Sequence, residues 1–179
     1  MNPHVQSFAP VAGPGTRALI LGSMPGVRSL HAGQYYAHPQ NRFWPFMGEL
    51  IGAAPALPYL ERCSRLTAAG LALWDVLASC ERHGSLDSAI RDDTAQANDF
   101  GALFARHPTI AMVLFNGSKA EGSFRRFVLP VLVETGAVAA DLELRRLPST
   151  SSANASQSAE YKLAAWREGL QAGGIRTLD

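Results

Sequence analysis

The chain reads as one α/β domain, a three-layer αβα sandwich around a four-stranded parallel sheet. Three observations predict this. Short apolar runs alternate with amphipathic segments of helical period, the pattern of parallel strands covered on both faces. The 179 residues, 47% hydrophobic and 17% charged, suit a single folded core. Small and polar residues gather just after the apolar runs, at the strand ends where open α/β sheets bind ligands.

The elements follow in order. Residues 1–16 hold three prolines and two glycines without periodicity, so they form a tail or a wrapping arm, and the domain proper is 17–179. Arg17–Leu21 is the first buried strand, and it runs into a tight Gly22-Ser-Met-Pro-Gly26 turn. From Asn41 to Ile51 the apolar residues Phe43, Trp44, Phe46, Met47, Leu50 and Ile51 fall at helical spacing. Asn41 suits the N-cap, Pro45 is tolerable in the first turn, and Gly52 ends the helix. Tyr59–Ala69 is a second helix stopped by Gly70, Leu71–Leu77 a second strand, and Ser79–Ala97 a polar connection. Asn98 caps a short helix to about His107, and Ile110–Phe115 is the third strand. Ser118–Val133 is helical, with Pro130 bending or ending it. Val138–Leu147 is the fourth strand and Ser156–Ala172 the final helix.

Composition excludes several functions. Two cysteines, Cys63 and Cys80, outside any CxxC pair, cannot hold a zinc ion or an iron–sulfur cluster and read as reduced, structural thiols. Neither His38 nor His107 has metal-ligand spacing, so no metal and no cofactor is expected. No apolar run reaches the ~18 residues of a membrane span, and the start lacks the basic-then-apolar pattern of a signal peptide, which predicts a cytoplasmic protein. A net charge of +1 neither announces nor excludes nucleic acid. Lys119, Arg125, Arg126, Arg145 and Arg146 are candidates for a local positive funnel, or ordinary solvated faces. No Ser-His-Asp order, Walker loop or HExxH pattern occurs.

What remains is the set of strand ends carrying Ser23, Asp75, Asn116 and Ser149–Asn154. In a parallel sheet these lie along one edge and can converge on one pocket. Four segments also carry a resemblance: Gly22-Ser-Met-Pro-Gly26, Tyr35-Tyr-Ala-His-Pro-Gln-Asn-Arg-Phe-Trp44, Leu73-Trp-Asp-Val-Leu-Ala-Ser-Cys-Glu-Arg82 and Leu147-Pro-Ser-Thr-Ser-Ser-Ala-Asn-Ala155. In this order and spacing they resemble the uracil-DNA glycosylase superfamily, and within it the hypoxanthine-DNA (deoxyinosine) glycosylase family, from about Arg17 to about Leu170.

The resemblance implies a monofunctional DNA glycosylase, a monomer that hydrolyses the N-glycosidic bond of deaminated bases, chiefly hypoxanthine. It would leave an abasic site for downstream repair enzymes. Two rivals stand beside it: a related glycosylase for uracil, xanthine or mismatched thymine, and a non-catalytic nucleic-acid-binding module on the same fold. Asn41 resembles the family's catalytic asparagine, whose fixed dipole can position water and stabilise developing charge; alternatively it only caps a helix. Ser23 stands where many relatives carry an asparagine or a carboxylate. The amides of Ser23, Met24 and Gly26 could face the base or the water, or the turn is merely permitted by its glycines. Tyr36, with Tyr35 as the alternative, offers a face for an extruded base. Asp75, if ionised, only accepts hydrogen bonds, so it would suit the N1–H of hypoxanthine and repel the unprotonated N1 of adenine; otherwise it caps a turn. Asn116 could donate to O6 or N7 of the base, or cap the next helix, whose start at Ser118 and Lys119 could hold a phosphate. Ser149, Thr150, Ser151 and Asn154 resemble the motif that grips phosphates beside the flipped nucleotide. Ser152 replaces the usual proline there, and Ala153 stands where other members place a leucine wedge.

Overall fold

The computed structural model describes residues 3–138 and 141–179. The elements are β1 (His4–Gln6), β2 (Ala18–Gly22), α1 (Val27–Ala32), α2 (Phe43–Ile51), α3 (Tyr59–Ala68), β3 (Leu71–Asp75), β4 (Leu77–Arg82) and β5 (Ile90–Ala97). They continue with α4 (Phe100–Arg106), β6 (Met112–Asn116), α5 (Ser118–Ser123), α6 (Leu129–Thr135), β7 (Glu143–Leu147) and α7 (Ala159–Ala172). Among the described residues no helix is long and apolar enough to cross a membrane.

The core is a parallel sheet in the order β3-β2-β6-β7. All of β2 and β3 is buried, as expected of strands covered on both faces. One face meets α2, α3 and α7, where Phe43 packs edge-on to Trp166 with ring centroids 5.9 Å apart. The other face meets α4 and the α5 segment, where Trp74, Phe100, Phe124 and Phe115 form a chain of rings. Register then fixes the site: Gly22 lies opposite Asp75, and Asn116 opposite Leu147. The order reverses between β2 and β6, and ligands of such sheets bind outside that switch point.

Several expectations need correction. The stretch Ser79–Ala97 is not a loose connection: β4 and β5 form an antiparallel hairpin, with a 3₁₀ turn at Asp87–Ala89. Its polar composition concealed it, because β5 lies at the edge of a small sheet with order β1-β4-β5 and is largely solvated. The N-terminal segment is the wrapping arm of the two readings, since β1 pairs with β4 and Val11 bridges Leu73. Helix α1 was not foreseen. Asp99, rather than Asn98, caps α4 by accepting from the Ala102 amide, while Asn98 donates to the Asp75 carbonyl. The long helix after Ser118 is broken into α5, a π-helical stretch Phe124–Val128 and α6, with Pro130 in the first turn of α6. Proline has no amide to donate, which accounts for the disrupted ladder. The last strand begins at Glu143; residues 139–140 of the expected strand lie outside the described residues.

Arg82 staples the two sheets together. Its side chain is 2% exposed, and its guanidinium donates to the carbonyls of Met24, Pro25 and Gly84. The planar fork of arginine reaches several acceptors at once, which an ammonium cannot do in this geometry. The turn after β4 is thereby fixed against the turn after β2. Arg82→Met should lower the unfolding free energy by on the order of 3 kcal/mol, because it removes hydrogen bonds to a charged donor at a buried site. Urea denaturation measures this, and a midpoint equal to that of the unsubstituted protein would refute the staple.

Candidate active site

A cleft of about 890 Å³ opens at the carboxyl ends of β2, β3, β6 and β7. The strand-end and loop residues singled out from the sequence lie on its wall, from Ser23 and Met24 through Tyr36, Asn41 and Asp75 to Asn116, Lys119 and Ser149–Asn154, whereas Arg125, Arg126 and Arg145 do not. The convergence is therefore real, but several individual roles change.

At the floor, Asp75 and Tyr36 close over Gly22. A Cβ on Gly22 would lie 2.5 Å from Asp75 Oδ1 and 2.9 Å from the Tyr36 hydroxyl, so only glycine allows this approach. Asp75 is 3% exposed, and its Oδ2 and the Tyr36 hydroxyl are buried without hydrogen-bond partners among the described residues. Burial foremost, then the nearby Asp87 carboxylate, pushes the Asp75 carboxyl up to about 8, against a smaller opposing pull from Arg82. Asp75 is therefore mostly a neutral acid at pH 7, and the acceptor-only expectation is replaced. A neutral carboxyl presents a donor and an acceptor side by side. Burial likewise holds the Tyr36 phenol well above its ordinary range.

Tyr36 is the one non-glycine residue at positive φ among the described residues, at 55°. Such strain persists where the surroundings enforce it, and here one ring face stacks on Phe43 at 4.1 Å between centroids. Its remaining surface lines the cleft. The alternative, Tyr35, is a core residue that donates its hydroxyl to the Ala9 carbonyl.

Asn41 both caps and lines. Its Oδ1 accepts from the Phe43 amide at 2.9 Å, although the helix begins at Phe43 with Arg42 as the flanking residue. One lone pair and the Nδ2 hydrogens remain for a ligand. His38 is exposed beside it and accepts from the Gln40 amide, while its carbonyl accepts from the Asn41 amide. His107 simply ends α4. Ser23 does not face solvent: it is 7% exposed and donates to Asp87 Oδ1 at 2.5 Å.

Asn116 is corrected on one count: it does not cap the next helix, which Gly117 precedes. Its amide is partly engaged by the loop, with one Nδ2 hydrogen left over. Its Nδ2 donates to Thr150 Oγ1 at 2.8 Å and its Oδ1 accepts from the Thr150 amide at 2.9 Å. Thr150 is accordingly buried and acts as a knot; its carbonyl also accepts from the Arg42 amide. Ser149 and Ser151 accept from amides within the same loop, of Ser151 and Ala153 respectively, and Asn154 accepts from Ser156. These bonds shape a loop from which the usual proline is missing.

The expected positive funnel is largely neutralised. Lys119 donates to Asp92 at 2.6 Å, Arg126 reaches the same carboxylate, Arg125 and Arg146 share Glu121, and Arg145 pairs with Glu168. Lys119 is thus committed to an ion pair rather than free for a phosphate. Two other cations lie close by. Lys162, 4% exposed, donates to the Asn154 carbonyl, and Arg42 has no salt bridge among the described residues. Both line a second cavity of about 710 Å³ on the far side of the 150–155 loop. Sequence reading missed Arg82, Asp87 and Lys162. The first two lie in the unrecognised hairpin; the third carried only the signal of a lysine at a core-facing helix position.

The chain has counterparts among known proteins. A family model described as the uracil DNA glycosylase superfamily matches residues 10–169. A protein of Methanosarcina barkeri named hypoxanthine DNA glycosylase is 35% identical over 93% of this chain and 98% of its own length. A Methanosarcina acetivorans protein of the same name is 36% identical over 83% of this chain and 87% of its own. The solution NMR structure of a candidate uracil DNA glycosylase from Methanosarcina acetivorans aligns with a TM-score of 0.75 at 32% identity, covering 96% of this chain and 99% of that one. By sequence along nearly its whole length and by fold, the chain belongs to the uracil DNA glycosylase superfamily.

Proposed function

We propose that the protein is a monofunctional DNA glycosylase that excises hypoxanthine from deaminated adenine in DNA and leaves an abasic site. The observation that carries this reading is the partnerless pair at the cleft floor, Asp75 Oδ2 and the Tyr36 hydroxyl. Buried polar atoms without partners are costly in a finished core and mark a place where a ligand completes the bonding. A neutral Asp75 matches the lactam edge of hypoxanthine, accepting from N1–H while donating to O6. The same acid can also pair with the N1 and N6 edge of adenine, so it does not reject the normal base unaided. Selection is assisted by extrusion, which is easiest for a mispaired or damaged base. The free surface of Tyr36 would lie against that base. Uracil and xanthine also carry lactam edges and remain the natural comparison substrates.

In this reading the Asn41 amide positions the water that attacks C1′ and stabilises the charge developing there by a fixed dipole. Arg42, with the 149–154 loop between its cavity and the cleft, grips backbone phosphates flanking the flipped nucleotide, and Lys162 holds that loop through the Asn154 carbonyl. The protein acts as a monomer, and its abasic product passes to downstream repair enzymes. The direct test is a panel of duplexes containing inosine, uracil, xanthosine or ethenoadenine under single-turnover conditions. Release of free hypoxanthine at the highest rate is expected. Release of uracil with none of hypoxanthine would overturn the substrate assignment, and no release from any duplex would favour a binding module.

Three further outcomes are expected. Asn41→Ala should slow hypoxanthine release by about 10²-fold or more while lesion binding persists; single-turnover rates near those of the unsubstituted protein would remove Asn41 from the mechanism. The rate should fall as pH rises through about 8, where Asp75 loses its proton, and Asp75→Asn should flatten that decline because an amide keeps both donor and acceptor. Identical pH profiles for the two proteins would show that Asp75 does not read the base. Arg42→Ala should weaken binding to inosine-containing and ordinary duplexes alike, and reduce the salt slope of binding by about 0.9. An unchanged slope would show that no phosphate is held there.

A further inference from the structure

The turn between β4 and β5 brings a second carboxyl group to the cleft. Asp87 lies on the cleft wall, outside the segments that resemble the family, and Ser23 Oγ donates to its Oδ1 at 2.5 Å. The placement is enforced from two sides. Arg82 pins the start of the turn to the Met24 and Pro25 carbonyls, and Ser85 Oγ accepts from the Val27 amide. One carboxylate oxygen is therefore held, while Oδ2 has no hydrogen-bond partner among the described residues.

Asp75 and Asp87 are the only carboxyl groups lining the cleft among the described residues, and their surroundings separate their roles. Asp75 is buried and its proton is retained to about 8, partly because Asp87 carries negative charge nearby. The Tyr36 phenol keeps its proton, and the Asn41 amide cannot take one. His38, also on the wall, already accepts at Nδ1 from the Gln40 amide.

We propose that Asp87 is the catalytic carboxylate of the reaction, held by Ser23 so that its free oxygen receives a proton from the attacking water. The inference rests on the glycosylase reading above and assigns that site its missing base. In the step, the water oxygen forms a bond to C1′ as the C1′–N9 bond breaks, and that electron pair leaves with the hypoxanthine. One water proton passes to Asp87 and the other stays on the new C1′ hydroxyl. The departing base takes a proton from solvent, and Asp87 returns its own, so the net change is one water consumed. The carboxylate also faces the positive charge that develops on the sugar, stabilising it in the transition state.

The test uses the full chain and a duplex containing a single inosine, with the unsubstituted protein as reference. Asp87→Asn keeps an acceptor for Ser23 but cannot take a proton, so its single-turnover rate should fall by about 10²-fold or more. Asp87→Ala should be equally slow, and sodium formate should restore part of its rate where sodium chloride at equal ionic strength does not. Binding to a duplex carrying 2′-fluoro-deoxyinosine, which resists cleavage, should stay within about threefold for both variants. A structural role for Asp87 would not respond to formate. Either variant retaining the full rate, or no rescue of the slow alanine variant, overturns Asp87 as the base while leaving the glycosylase reading intact. No hypoxanthine release by the unsubstituted protein overturns that reading instead, and this proposal with it.

Discussion

The structure depends on one close approach, the packing of a buried carboxyl group and a phenol into the space where Gly22 has no side chain. Parallel pairing sets Gly22 beside Asp75, and the absent Cβ lets Asp75 Oδ1 and the Tyr36 hydroxyl both approach the backbone there. Any larger residue at position 22 would collide with both groups at the floor of the cleft. The strained backbone of Tyr36 and its stack on Phe43 tie this floor to the start of α2, where Asn41 stands. Specificity, catalysis and local packing thus share a few side chains.

The arrangement has a thermodynamic consequence. In the unfolded chain Asp75 ionises at its ordinary value of 3.8, whereas the folded protein holds its proton to about 8. Between those values the folded state binds a proton that the unfolded state has released, so the stability contributed by this site falls as pH rises across that window. Above about 8 the loss levels off, because both states are then ionised. Arg82 limits the penalty: it is close enough to favour the charged form, yet it spends its hydrogen bonds on carbonyls. Stability and base recognition therefore pull in the same direction, both favouring the protonated acid.

Much of this was legible in the sequence because the parallel sheet obeys simple rules. Apolar runs such as Leu19–Leu21 and Val113–Phe115 announce strands buried on both faces, and the polar residues after them fall on one edge by geometry alone. Long-range pairings left no such trace. Nothing local to Asn116 says that its amide closes on Thr150, and nothing near Lys119 says that Asp92 will neutralise it. The hairpin β4–β5 was hidden because a solvated edge strand such as Ile90–Ala97 lacks the apolar alternation that marks a half-buried one. With it were hidden Arg82 and Asp87, whose roles arise only once that hairpin folds over the Gly22–Gly26 turn. The ionisation of Asp75 was misjudged for a related reason: charge state follows burial, and burial follows the fold.

The central claim is that the acid at the cleft floor keeps its proton at neutral pH. Titration of the protein labelled with ¹³C at its aspartate carboxyl carbons, with Asp75→Asn used to assign the signal, measures this directly. The account predicts an Asp75 resonance that moves at about 8, well separated from the exposed aspartates. A resonance titrating at the ordinary aspartate value of 3.8 would contradict it.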